Sequence, residues 1–134
     1  NKKRQIEERE QSIADLKKEK QRLLNWLLEQ SNIYKRVITL SKQAVSNKKA
    51  MKVLTIAEQD QLKKTIFEIH HDYISFLQEK YSKLTESDLL YLCLQETSLD
   101  SQSIAICFGY SDTHPLSQKK YRIKERMIEE KSKM

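Results

Sequence analysis

Apolar residues recur along the first third of the chain at the spacing of a coiled coil. Ile6, Ile13, Leu27 and Tyr34 fall on one core position of a heptad frame, and Leu16, Leu23 and Val37 on the other. Glu and Lys fill the flanks, and Arg9, Lys20 and Gln30 interrupt the frame. A single helix cannot bury a seam of this length alone, so the pattern predicts a helix over 1–46 that pairs with a second copy. The polar interruptions weaken the seam but can fix its register. A solvated charged helix docked on its own domain is the other reading. Between Leu23 and Leu28 the stripe widens with Leu24, Trp26 and Leu28, which predicts packing against more than one neighbour there.

The stripe breaks at Asn47–Leu54, a linker or bent joint. Thr55 followed by Glu58 has the spacing of a capping box and opens a linking helix. Behind it Leu62, Ile66, Ile69, Tyr73 and Leu77 recur at helical spacing, with Phe67, Ile74 and Tyr81 alongside. Thr85 and Asp88 form a second box, flanked by the staple pair Leu84 and Leu89. That helix reaches about Glu96. Asp100 or Ser101 then caps a short helix ending at Phe108, with Leu99 and Ile104 as its staple pair. Gly109 stands where a left-handed residue stops a helix. A turn over Tyr110–His114 follows, and Pro115 sits in the first turn of the last helix, where its missing donor is harmless. Leu116, Ile123 and Met127 line one face of that helix; Ser117, Gln118, Lys119, Lys120, Arg122, Lys124 and Arg126 occupy much of the rest.

Composition narrows the class. With one Gly and one Pro in 134 residues, an all-α fold is expected, because β-rich folds need many turns. A 38% apolar share, unevenly spread, fits a long one-striped helix joined to a smaller core. The net charge of +6 permits nucleic acid or an anionic surface as partner without choosing between them. Cys93 and Cys107 lie in apolar helical patterns and read as small core residues in a reducing compartment. No apolar run approaches the roughly 20 residues of a membrane span, and there is no secretory signal. The chain begins at Asn1 already in helical register, which reads as an excerpt of a longer protein.

A short bracing helix, a turn and a helix with a polar, basic outer face form the arrangement that fits a DNA major groove. Polar residues near the start of the second helix can reach base edges, and cations further along can neutralise phosphates. Other chemistry finds no support. His70-His71 beside Asp72 lacks the surroundings of a phosphoacceptor site. His70, His71 and His114 have no metal-ligand spacing. No nucleophile–base pair or phosphate loop is legible, so no catalytic residue, metal or cofactor is expected. A signalling or scaffold module that uses the same helices for protein contacts, without DNA, is the alternative.

Leu84-Thr85, Leu99, Ile104-Ala105, Phe108-Gly109, Ser111 and Arg122-Ile123 together resemble the LuxR/GerE-type helix-turn-helix, over roughly the last third of the chain. The order of long heptad helix, capped linking helix and this unit also resembles the cytoplasmic end of bacterial membrane-anchored tetratricopeptide-repeat regulators. Lys2-Lys3-Arg4 would suit the cytoplasmic side of such a span. The resemblance implies a dimeric transcription regulator that binds duplex DNA, cytoplasmic or the cytoplasmic part of a membrane-anchored protein, with an upstream sensor region absent from this chain. It implies a bracing helix over Ser101–Phe108 and a recognition helix over Thr113–Met127. Thr113, His114, Ser117, Gln118 and Lys120 would lie nearest the bases, and Lys119, Arg122, Lys124 and Arg126 near the backbone. The expected organisation is thus a pairing helix over 1–46, a linker and linking helix over 47–83, and a LuxR-like helix-turn-helix over 84–134.

Overall fold

The structure is a computed structural model that describes residues 2–43 and 51–132, with side chains described through residue 128. Its seven helices among these residues carry all the regular structure, so the chain is all-α. None of them is long and apolar enough to cross a membrane.

Helix α1 spans Lys2–Gln30. Every residue from 2 to 20 is exposed, so this stretch stands clear of the core. From Lys20 onward α1 meets the rest of the chain. Lys20 Nζ lies 3.0 Å from the Asp72 carboxylate, Leu24 is half-buried, and Leu28 is fully buried.

The single helix expected over 1–46 is in fact two. Ser31 has extended backbone, and its hydroxyl accepts from the Tyr34 N–H while donating to the Leu28 carbonyl. It thereby ends α1 and caps α2, Asn32–Ser41. In α2 the residues Ile33, Tyr34, Val37 and Leu40 share one buried face. That face lies against α6 (Ser101–Cys107), the most extensive helix pairing in the fold. Tyr34 and Val37, expected in the pairing seam, are therefore core residues of one chain, 5% and 0% exposed. The heptad frame runs through Ser31 on paper only.

The end of the 1–46 element and the first half of the linker at Asn47–Leu54 lie outside the described residues. From Met51 to Thr55 the backbone carries no regular secondary structure. The Gln43 amide brackets Lys52, donating to its carbonyl (2.7 Å) and accepting from its N–H (2.9 Å). The Leu54 N–H donates to the Ile106 carbonyl of α6 (3.3 Å).

Helix α3 spans Ile56–Ile69, and both bonds of the Thr55–Glu58 capping box are formed. The linking helix does not run on to Tyr81 as one piece. At His70 (φ −100°, ψ 30°) it breaks, and α4 continues over His71–Lys80. The buried residues explain the break. Leu62, Ile66, His70 and Ile74 recur every four residues, and in an unbroken helix each such step would rotate the stripe by about 40°. The break resets the face, and Leu77 and Tyr81 then complete it.

Helix α5 spans Glu86–Gln95, with both bonds of the Thr85–Asp88 box formed. Asp100, rather than Ser101, caps α6 by accepting from the Ser103 N–H (2.8 Å). Helix α7 spans His114–Ser132. Cys93 and Cys107 are buried free thiols, and burial pushes both up to about 12.

Candidate nucleic-acid interface

Helix α6 is the fixed part of the site: Ser103, Ile104, Ala105, Ile106 and Cys107 are all buried. The absence of a side chain beyond Cβ at Ala105 lets neighbours approach closely. The helix stops at Gly109, whose φ of +80° is left-handed. The Tyr110 N–H reaches back to the Ala105 carbonyl (2.9 Å) and the Gly109 N–H to Ile106 (3.1 Å), the bonding pattern of a Schellman stop. The left-handed backbone requires glycine here, and a Cβ at this position would lie 2.6 Å from Gln59 Nε2 and displace that amide.

The turn is held by polar bonds. The Gln102 amide donates to the Ser111 carbonyl (3.2 Å), and the Asp112 carboxylate accepts from the His114 N–H (2.9 Å). The Thr113 carbonyl accepts from Leu116 N–H (3.1 Å) and opens α7. Phe108 and Tyr110 stack across the turn with centroids 6.1 Å apart.

Leu116, Lys119 and Ile123 form the buried face of α7, with Arg126 and Met127 half-buried beside them. Two cations expected at the DNA backbone are thus turned inward. Lys119 donates to the Ser87 hydroxyl and lies 4.9 Å from the centre of the Phe108 ring. Burial lowers its pKa. Arg126 is paired with the buried Asp88 carboxylate. The reason is positional: Leu116, Lys119, Ile123 and Arg126 follow at intervals of three and four, one face of a helix. Lys119 and Arg126 fix α7 against the start of α5.

The other candidates point outward. Thr113, His114, Ser117, Gln118, Lys120, Arg122 and Lys124 are all exposed. On the helical repeat, Lys120 and Lys124 lie on one flank of the outer face and Arg122 on the other. Between them run His114, Ser117, Gln118, Tyr121 and Glu125. Tyr121, 65% exposed, and Glu125 were missed by a reading that followed cations and the start of the helix. Their spacing opposite Leu116 and Ile123 is the signal that could have found them.

Away from α7, the candidate pairing residues Ile6, Ile13, Leu16, Leu23 and Leu27 are 49% to 69% exposed and lie on α1 with the equally exposed Trp26. His70 is buried with no partner for Nε2 among the described residues. His71 lies on Asp72 at the surface, Nδ1 to carboxylate 3.5 Å. Among the described residues no three His, Cys, Asp or Glu side chains gather where they could hold a metal ion. Comparison with protein-family models, with curated proteins and with solved structures finds no significant match for the chain.

Proposed function

We propose that this chain is the DNA-binding part of a bacterial transcription regulator, with α6, the turn and α7 acting as a helix-turn-helix on duplex DNA. The observation that carries this reading is the outer face of α7. Groups able to read base edges run along its centre, cations flank them, and Lys119 and Arg126 brace it from behind. A helix entering the major groove needs this division, because central side chains meet base edges while flanking ones meet the two phosphate walls.

Pairing through α1 completes the proposal, since two half-sites are read by two copies. Ile6, Ile13, Leu16, Leu23 and Leu27 are each about half exposed. Burying the remainder gains roughly 1 kcal/mol per side chain. Across two helices that is on the order of 10 kcal/mol, against ~4–15 kcal/mol for lost freedom on association. The pair is therefore weak without DNA, and shared half-sites would drive it together.

Titration of duplex DNA against the full chain, followed by fluorescence anisotropy, tests the reading. Affinity should fall steeply with salt. The Lys120→Ala, Arg122→Ala, Lys124→Ala variant should lose most binding and flatten the salt dependence while keeping its helicity. Absence of duplex binding, or an unchanged salt slope in the variant, overturns the proposal. Sedimentation should show a dimer that Leu16→Glu converts to monomer; a strict monomer at high micromolar concentration removes the pairing role of α1.

A second reading draws on Tyr121 and Ile128, exposed apolar surface on α7. Such groups suit contact with another protein in a scaffold or signalling module. A folded dimer that ignores duplex DNA but captures a protein through Tyr121 favours that reading.

A further inference from the structure

Helix α1 uses different faces for its own body and for its exposed stripe. Leu24 and Leu28 turn toward the body, whereas Leu16, Leu23 and Leu27 are exposed and lie about 100° around the helix from them. Ile6 and Ile13 continue the stripe into the part of α1 that stands clear of the body. Two cations, Arg9 and Lys20, occupy core positions of the same heptad frame. Lys20 is tied to the body, with Nζ 3.0 Å from the Asp72 carboxylate at the start of α4.

These charges distinguish the two directions in which a second copy could lie. A parallel copy sets Arg9 against Arg9, clear of the body, and Lys20 against Lys20. Its flanks set Glu10 against Gln5 and Lys17 against Ser12, so no opposite charges face each other. An antiparallel copy has one register in which all four apolar residues from Ile6 to Leu23 oppose one another, Ile6 with Leu23 and Ile13 with Leu16. Leu27 then stands opposite Lys2 at each end. In this register Arg9 of the second copy comes to Lys20 and the Asp72 carboxylate, so each cationic layer contains an anion. Glu10 faces Lys17 on the flank, twice by symmetry. Flanking charges of this kind set the orientation of paired helices.

Resting on the pairing reading above, we propose that α1 joins a second copy of this chain in antiparallel orientation, centred between Ala14 and Asp15, with Glu10 and Lys17 fixing its direction. The level of Leu24 in one chain then falls at that of Gln5 in the other, which sets the two bodies roughly 28 Å apart along the paired helices. That offset approaches the ~34 Å between half-sites one turn apart on duplex DNA. A parallel pair would set both bodies at one level.

The test places a spin label on the full chain at Arg4→Cys, an exposed position; the two native thiols are buried. Pulsed electron resonance is recorded where sedimentation shows a dimer. Antiparallel copies hold the two labels about 21 residues, or ~32 Å, apart along the axis. Parallel copies hold them at one level, separated only by the ~8–10 Å between helix axes and by the label arms. Glu10→Lys and Lys17→Glu should each weaken dimerisation about 2–30-fold, because two facing pairs turn repulsive. The chain carrying both changes should recover the parent affinity. A merely structural role for either residue gives no such recovery. Labels held at one level, or charge reversals whose effects add, overturn the antiparallel direction and leave the pairing reading standing. A strict monomer at high micromolar concentration overturns both.

Discussion

Removing the Asp88 carboxylate should loosen α7 and destabilise the fold together. One carboxylate oxygen of Asp88 accepts from the Thr85 N–H (2.9 Å), closing the capping box of α5. The same oxygen accepts from Arg126 on α7. The Asp88 side chain is 3% exposed and that of Arg126 31%. Stranding a fully buried partner costs ~3–5 kcal/mol. Arg126 can turn toward water, so its share falls toward the ~1.5–3 kcal/mol of a charged hydrogen bond. With about 1 kcal/mol for the cap, Asp88→Ala should lose about 3 kcal/mol. Urea unfolding followed by circular dichroism should register a midpoint lower by about 1–3 M, for a slope of ~1–3 kcal/mol per molar. Arg126→Met and the double variant complete a cycle, in which the pair should show a coupling of at least ~1 kcal/mol. A coupling below about 0.5 kcal/mol, or a loss under about 1 kcal/mol for Asp88→Ala, would show that the contact does not hold α7.

Other expectations follow from single residues. Gly109→Ala should cost about 2–3 kcal/mol, from a left-handed backbone and from displacement of Gln59, whose amide donates to the Leu54 carbonyl at 2.9 Å; a loss under about 0.5 kcal/mol in urea unfolding refutes this, and Gln59→Ala should relieve only the steric part. Burial holds the His70 pKa below its ordinary 6.5, so the unfolded chain takes up that proton first. The stability His70 contributes is complete above about pH 6.5 and declines as the pH falls below it. Thermal unfolding of His70→Leu should therefore depend less on pH between 5 and 7 than the parent, and identical slopes would remove the argument. Glu58 and Asp100 act lower: backbone N–H groups, from Thr55 and Ser103 respectively, lower their pKa values from 4.5 and 3.8. Their contributions are present above those values and lost as acid protonates the folded caps. The thiols of Cys93 and Cys107, pushed up to about 12, should react with an aromatic disulfide reagent only at the rate of unfolding; rapid labelling of the native chain would contradict their burial.

Features written in a few adjacent residues were legible before the structure. Thr55 with Glu58, Thr85 with Asp88 and the stop at Gly109 all depend on partners within five residues, and all form; the cap of α6 was narrowed to Asp100 or Ser101, and Asp100 is the one that forms it. The two helix breaks were not legible. Neither Ser31 nor His70 has a Gly or Pro beside it. What breaks the helix there is the need to bury Ile33, Tyr34 and Val37 in one case and His70 and Ile74 in the other, and that need arises only once α6 and the core exist. Two residues of the candidate interface were misplaced for a different reason. Lys119 and Arg126 were read by charge, although their spacing from Leu116 and Ile123 already turned them inward. Reading position before charge also brings out Tyr121 and Glu125.

Ser31 starts α2 on its own hydrogen bond rather than inheriting its direction from α1. The core therefore grips α1 only through its last turns, and the exposed stripe from Ile6 to Leu23 is tied to that grip by nothing except helical phase. One residue inserted near Lys17 would turn the stripe by about 100° relative to the core and lengthen the shaft by about 1.5 Å. Seven residues would restore the angle to within about 20° while moving the stripe outward by roughly 10 Å. Helix α1 is in this sense a graduated shaft: its phase sets the direction in which the exposed stripe faces relative to α7, and its length sets how far that stripe lies from the core.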